Sequence, residues 1–399
     1  MSKRVFITGL GAISAIGGDV PSSLASLLAR KTGIGTLQNI KTRLAHLPVG
    51  EVKLTTNELK TLAGVPANIP HSRTDLLGII AAKEAVKNAQ ITDISEFKTG
   101  LISATSVGGM STTEQNWTDY LDESKSGDFL SEIESHEGAY STEKIADSLG
   151  IKAYLNTIST ACSSSSNAIL LGARLIKNGL LDRVVAGGTD ALSKFTMNGF
   201  NTLMILDESL CKPFDDNRKG LNLGEGAGFV VLESEKASEG KERLAELVGY
   251  ANTNDAYHQT ASSPTGEGAY LAISETLKLA NVKPSEVSYI NAHGTGTSVN
   301  DLSEGTAIER VFGSKVPPIS STKVFTGHTL GACGGIEAVF SVLAIKNGLI
   351  FPNLNFSTPM SELAFKPNLT LLKNQSINFV LSNSFGFGGN TTSLLFSKV

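Results

Sequence analysis

Cysteine is scarce in this 399-residue chain: Cys162, Cys211 and Cys333 are the only three, and no spacing pairs them. A low, odd count excludes a disulfide framework and points to a reducing compartment, so a cytoplasmic location is expected. Charge is also sparse, at 18% of residues, and nearly balanced, with 34 Lys and Arg against 38 Asp and Glu for a formal net charge of −4. That balance supplies no basic face for nucleic acid and no basic run to hold an anionic membrane surface. No uncharged apolar stretch reaches the length of a membrane span, so none is expected. Glycines at 9, 11, 17 and 18 interrupt the first apolar run, which therefore reads as a strand and turn rather than a signal peptide.

What is present is a globular balance, 41% apolar, with enough length for one large or two ordinary domains. Short apolar runs alternate with longer helical ones, the pattern of a layered α/β fold. Strands are expected at 5–8, 99–104, 183–186, 228–232, 288–291 and 378–382, and helices at 73–88, 162–178, 268–280 and 330–347. A shift of 169 residues lays 168–181 on 337–350, with Ile-Lys-Asn-Gly in both. This echo suggests two related halves whose buried helices meet at their N-termini. The charge-rich span 232–243 separates them, giving an N-terminal half at 1–235 and a C-terminal half at 244–399.

Cys162 stands in Thr160-Ala161-Cys162-Ser163-Ser164, just ahead of an apolar helical stretch. Unpaired N–H groups and the positive helix end favour thiolate there, and thiolate is the nucleophile. His293 follows a strand in Asn291-Ala292-His293-Gly294-Thr295-Gly296-Thr297, and His328 follows Gly327 ahead of the second buried helix. A helix N-terminus holds an imidazole neutral, and a neutral imidazole can donate N–H to a developing oxyanion. The other four histidines, His46, His71, His136 and His258, read as structural, and Cys211 and Cys333 as packing. Lys323 and Glu337 both sit in apolar surroundings and are expected to pair and to position His328. Gly9-Leu10-Gly11 after a strand resembles part of a dinucleotide fingerprint, but its third glycine is missing.

Taken together, these motifs resemble the elongating β-ketoacyl-acyl-carrier-protein synthases of type II systems, over nearly the whole chain. Matching segments are Thr160 to Ser164, Pro213-Phe214-Asp215 with Arg218, Gly224-Glu225-Gly226, the His293 loop with Asp301, Ser321-Thr322-Lys323 with Gly327-His328, and the glycine-rich loop 383–389. The resemblance implies a thiolase-like fold, with two pseudo-duplicated α/β halves forming a five-layered αβαβα core, in a dimer. It implies decarboxylative condensation of malonyl-carrier protein with an acyl chain on Cys162, aided by His293 and His328. It assigns Phe387 to gating and, with the Cys162 backbone, to the oxyanion hole, Thr295 and Thr297 to the phosphopantetheine arm, and Lys323 and Glu337 to a structural pair. No metal or organic cofactor is implied. The partners implied are an acyl carrier protein and either a second copy or a Cys-less subunit.

Two departures bear on the pathway. The last loop reads Gly388-Gly389-Asn390-Thr391 where the family usually has Gly-Gly-Thr-Asn, and Asp207-Glu208 stands where cations commonly meet a carrier protein. Lys212, Arg218 and Lys219 are the remaining basic candidates. Both departures point toward a secondary-metabolic ketosynthase, such as one building aryl polyene chains, over a housekeeping one. A coenzyme A thiolase and a non-catalytic chain-length-factor subunit are the rival readings. The first should carry a second cysteine in the last loop, and the second should lack Cys162.

Overall fold

Ten strands carry the frame: β1 (Val5–Ser14), β2 (Thr99–Ala104), β3 (Tyr154–Ile158), β4 (Arg183–Asp190), β5 (Gly226–Ser234), β6 (Ala245–Asn254), β7 (Tyr289–Asn291), β8 (Ile319–Ser320), β9 (Phe379–Phe385) and β10 (Asn390–Ser397). The structure is a computed structural model describing residues 3–66 and 68–399. The strands run β3-β2-β4-β5-β1-β6-β10-β9-β7-β8. Read from its far end, the second set of five repeats the first: β8-β7-β9-β10-β6 matches β3-β2-β4-β5-β1. Directions repeat as well. β2 is parallel to β3 and β4, with β5 and β1 antiparallel beyond. β7 is parallel to β8 and β9, with β10 and β6 antiparallel beyond. Among the described residues, the two sets join where β1 meets β6, at Phe6 opposite Glu246 and Ile7 opposite Ala245.

Helices fill the layers. Arg73–Asn88 packs outside the first sheet on β1 and β5, and Glu267–Ala280 outside the second on β6 and β10. Between the sheets lie Ser164–Lys177 and Cys333–Asn347, which touch each other. This is the five-layered, doubled α/β core expected from the sequence. Strands covered on both faces read as unbroken apolar runs, and β1, β2 and β4 are buried along their whole length.

The 169-residue echo holds in backbone geometry. Ala161 and Leu330, at matching positions ahead of the two central helices, both take left-handed φ of 52°. Gly179 and Gly348, at matching positions beyond the helix ends, are both left-handed too. A left-handed non-glycine residue costs about 1–2 kcal/mol, so the same strain kept twice marks a turn that the architecture requires.

Several boundaries differ from the sequence reading. β1 does not stop at Gly9 and Gly11. A Cβ there would lie 2.2 Å from the Ala85 carbonyl and 1.9 Å from that of Ala81, so these glycines let the Arg73–Asn88 helix press onto the strand. The covered backbone leaves no room for a pyrophosphate, which disposes of the dinucleotide resemblance. The helix after Cys162 starts at Ser164 rather than 162, and 330–347 divides into a short 3₁₀ turn, Leu330–Ala332, and Cys333–Asn347. By composition Leu330–Asn347 is long and apolar enough to cross a membrane, yet 89% of it is buried within the fold. It is a core helix.

Candidate active site

The two central helices bring their N-termini together, and the loops after β7 and β8 come in beside them. Cys162, His293 and His328 therefore converge: the sulfur and one nitrogen of each ring lie within 4.8 Å of one another. The two rings meet edge to face, with centroids 5.4 Å apart. All three residues are buried.

Hydrogen bonds assign the imidazole tautomers. The Leu330 backbone N–H donates to His328 Nδ1 at 3.2 Å. The Lys323 ammonium, 3.2 Å from His293 Nδ1, can only donate. Each Nδ1 is thus an acceptor, so in the neutral ring the proton sits on Nε2. Burial, with the nearby Lys323 charge, holds both histidines well below the usual range, so both stay neutral. Two Nε2–H donors face the cavity. The same tautomers leave neither ring a free lone pair for a metal ion, although the three residues cluster at ligand-like distances.

Lys323 donates to Glu337, both buried, as the sequence suggested. The ring that Lys323 touches is His293, however, rather than the expected His328. Burial pushes Glu337 up to about 7 while Lys323 pulls it down. Burial acts most strongly on Lys323 and lowers it, but the charge and hydrogen bond of Glu337, together with Cys333 and Glu304, raise it on balance. The ammonium is the charge that persists, since its partner and His293 Nδ1 both accept from it.

Cys162 departs from expectation. Burial pushes its thiol up to about 12, overriding the Lys323 charge and the helix end. The Ser163 side chain makes no capping bond, and the helix begins one residue later. At neutral pH the Cys162 side chain is therefore a protonated thiol.

Two cavities meet at Cys162. The more polar of the two, about 120 Å³, is lined by His293, His328, Thr295, Thr297 and the 258–262 loop together with Phe200, Phe385 and Phe387. The other, about 450 Å³, is apolar and runs along the Lys194–Thr202 helix past Val107, Phe195, Gly199 and Leu203. Phe200 and Phe387, stacked 5.8 Å apart, border both. Thr295 and Thr297 hydroxyls lie 2.8 Å apart. Their loop is held by Asp301, which accepts from Thr295, Gly296 and Phe214 N–H.

Sequence reasoning missed some residues here. Glu304 is buried and accepts from the backbone of His293 and Gly294 and from Asn383, tying the histidine loop to β9. Its place one helical turn after Asp301 was the available signal. Cys333 is more than packing, because its thiol donates to the Cys162 carbonyl at 3.1 Å. His258, read as structural, borders the polar cavity. Arg218 is occupied by the carbonyls of Thr297, Asp215 and Ser298, which leaves Lys212 and Lys219 of the basic candidates. Asp207 is buried and turns onto Ser209, so it is no acidic surface at the mouth.

A buried thiol beside two N–H-donating imidazoles, at the seam of a doubled α/β frame, is the arrangement of the thiolase-like condensing enzymes. Residues 2–238 match the family described as beta-ketoacyl synthase, N-terminal domain, and residues 244–357 its C-terminal domain. The 3-oxoacyl-[acyl-carrier-protein] synthase 2 of Staphylococcus aureus (strain N315) is 36% identical, covering 100% of this chain and 99% of that one. Among solved structures, the ishigamide ketosynthase/chain length factor is 28% identical with a TM-score of 0.92, over 100% of both chains. A complex of a type II polyketide acyl-carrier protein with its ketosynthase, AntDE:AntF, is 27% identical with a TM-score of 0.89, also over 100% of both. The chain belongs to the β-ketoacyl synthase family. It is an acyltransferase-type condensing enzyme of fatty acid or polyketide synthesis.

Proposed function

We propose that the protein takes an acyl chain from a phosphopantetheine-bearing carrier protein onto Cys162 and extends it with malonyl-carrier protein to a 3-oxoacyl product. The observation that carries this reading is the meeting of a polar and an apolar cavity at one sulfur. The Cys162 sulfur attacks the acyl thioester carbonyl, and the pantetheine thiol leaves with the proton. The acyl tail lies in the apolar cavity. Backbone N–H groups of Cys162 and Phe387 receive the oxyanion. Malonyl-carrier protein then enters through the polar cavity, its arm held by Thr295 and Thr297. Its C–CO₂⁻ bond breaks, CO₂ departs, and the enolate oxygen accepts N–H from His293 and His328. The carbanion attacks the acyl carbonyl and Cys162 leaves as thiolate. Lys323 and Glu337 fix His293 in its donating tautomer.

The two halves divide between 235 and 244. A partner covers the apolar surface beside the cavity, where Phe195 and Leu203, which line it, and the adjacent Met204 stand exposed. That partner is a second copy or a Cys-less subunit. Lys212 and Lys219 meet the carrier protein. Three free thiols fit a cytoplasmic setting.

Incubation with acyl-carrier protein is expected to add the acyl mass to Cys162, and malonyl-carrier protein to discharge it as the 3-oxo product. Absence of the adduct would leave only a non-catalytic subunit. Chain length should follow the apolar cavity. At Gly199 an added Cβ meets nothing within 4 Å, so Gly199→Phe is tolerated by the helix and fills the cavity. Elongation of long primers should fall roughly 10-fold or more against short ones, a misfit of over 1.4 kcal/mol. Unchanged preference across a primer panel would show that the tail lies elsewhere.

A further inference from the structure

The backbone repeat places Gly331 where the other half has Cys162. The N–H of Cys162 belongs to the proposed oxyanion hole. Its counterpart, the N–H of Gly331, donates to the carboxylate of Asp190 at 2.7 Å. The same carboxylate accepts from Thr105 Oγ1 at 2.5 Å, from Ser106 N–H at 3.0 Å and from Val107 N–H at 3.3 Å. Asp190 is wholly buried at the end of β4. The second half thus holds an anion at the helix entry matching the catalytic one, and the chain supplies that anion itself.

Its contacts lie on both sides of the chemistry. Ser106, Val107 and Leu330 line the apolar cavity. Gly331 directly follows Leu330, the strained left-handed residue whose N–H fixes His328 Nδ1. On the other side, Ser106 Oγ reaches the carbonyl of Ala161, the matching strained residue before Cys162, at 3.3 Å.

Resting on the condensing reading above, we propose that Asp190 is a positioning residue. Its carboxylate fills the duplicated anion site and pins Gly331, so that Leu330 keeps its N–H on His328 and the ring keeps Nε2–H toward the enolate. The link to Gly331 is a direct backbone bond, whereas the link to Cys162 passes through a longer hydroxyl contact. Loss of Asp190 should therefore fall on the step that His328 serves.

The test separates the two half-reactions in the full-length protein: CO₂ release from malonyl-carrier protein, and acylation of Cys162 followed by mass. Asp190→Asn turns an amide donor toward a set of N–H donors. We expect CO₂ release to fall roughly 10- to 100-fold, the scale of a 1 Å misplacement, with acylation changed less than about 3-fold. Asp190→Glu should recover part of the loss. Thr105→Val, which removes one bond to the carboxylate, should give the same split more weakly, and it serves if Asp190→Asn does not fold. Equal losses in both half-reactions, or no loss in either, overturn the proposal. If the wild-type protein performs neither half-reaction, the condensing reading itself fails.

Discussion

Replacing Cys162 with Ala is expected to abolish condensation while leaving malonyl decarboxylation in place. Condensation requires a sulfur that accepts and then releases the acyl chain, and removal of a covalent nucleophile costs at least ~1,000-fold. Decarboxylation requires only the Nε2–H donors, which are held by Leu330 N–H and Lys323 rather than by the sulfur. Both rings sit well below their ordinary range. The neutral donors therefore persist as pH falls through 6.5, and the variant's CO₂ release should stay level from pH 8 to pH 6. A midpoint near 6.5 would mean that the rings are ordinary histidines. Loss of CO₂ release together with condensation would mean that the sulfur, not the rings, carries that step.

Glu337→Gln carries the second large effect. Lys323 is 2% exposed and would keep its charge with only a neutral amide and His293 beside it. Removing one member of a buried pair costs about 3–5 kcal/mol, and the retained amide oxygen places this change toward the lower end. Stability should fall accordingly in denaturant titration, and decarboxylation should fall with it as His293 loses its fixed partner. The double change Lys323→Met with Glu337→Met removes both charges, so it should recover most of the stability without the activity. Recovery of activity in the double variant would show that the pair serves only the fold.

Much of this was legible in the sequence. The echo between 168–181 and 337–350 announced the doubled frame, because helices that fill equivalent places keep equivalent apolar faces. The groups around the sulfur were legible because glycine and small hydroxyl residues flank them in forms that few other settings use. β3, β6, β8 and β10 escaped notice. The polar ends of β6 and β10, Ala251 to Asn254 and Asn390 to Thr392, lack an apolar run, and the chain pairs them with each other. The state of the thiol escaped as well. A helix end is visible in sequence, but the depth at which the sulfur lies is not, and depth decides its protonation. Asp190 left no signal, since its partners come from 105–107 and 331, far away along the chain.

Cys162 borders both cavities, so one sulfur serves both substrates of the proposed reaction. Donor and extender would then use it in turn, with the acyl chain held on the sulfur between visits, and ping-pong kinetics is the expected pattern. Phe200 and Phe387 border both spaces, so a chain passing from one to the other would run beside the paired phenyl rings.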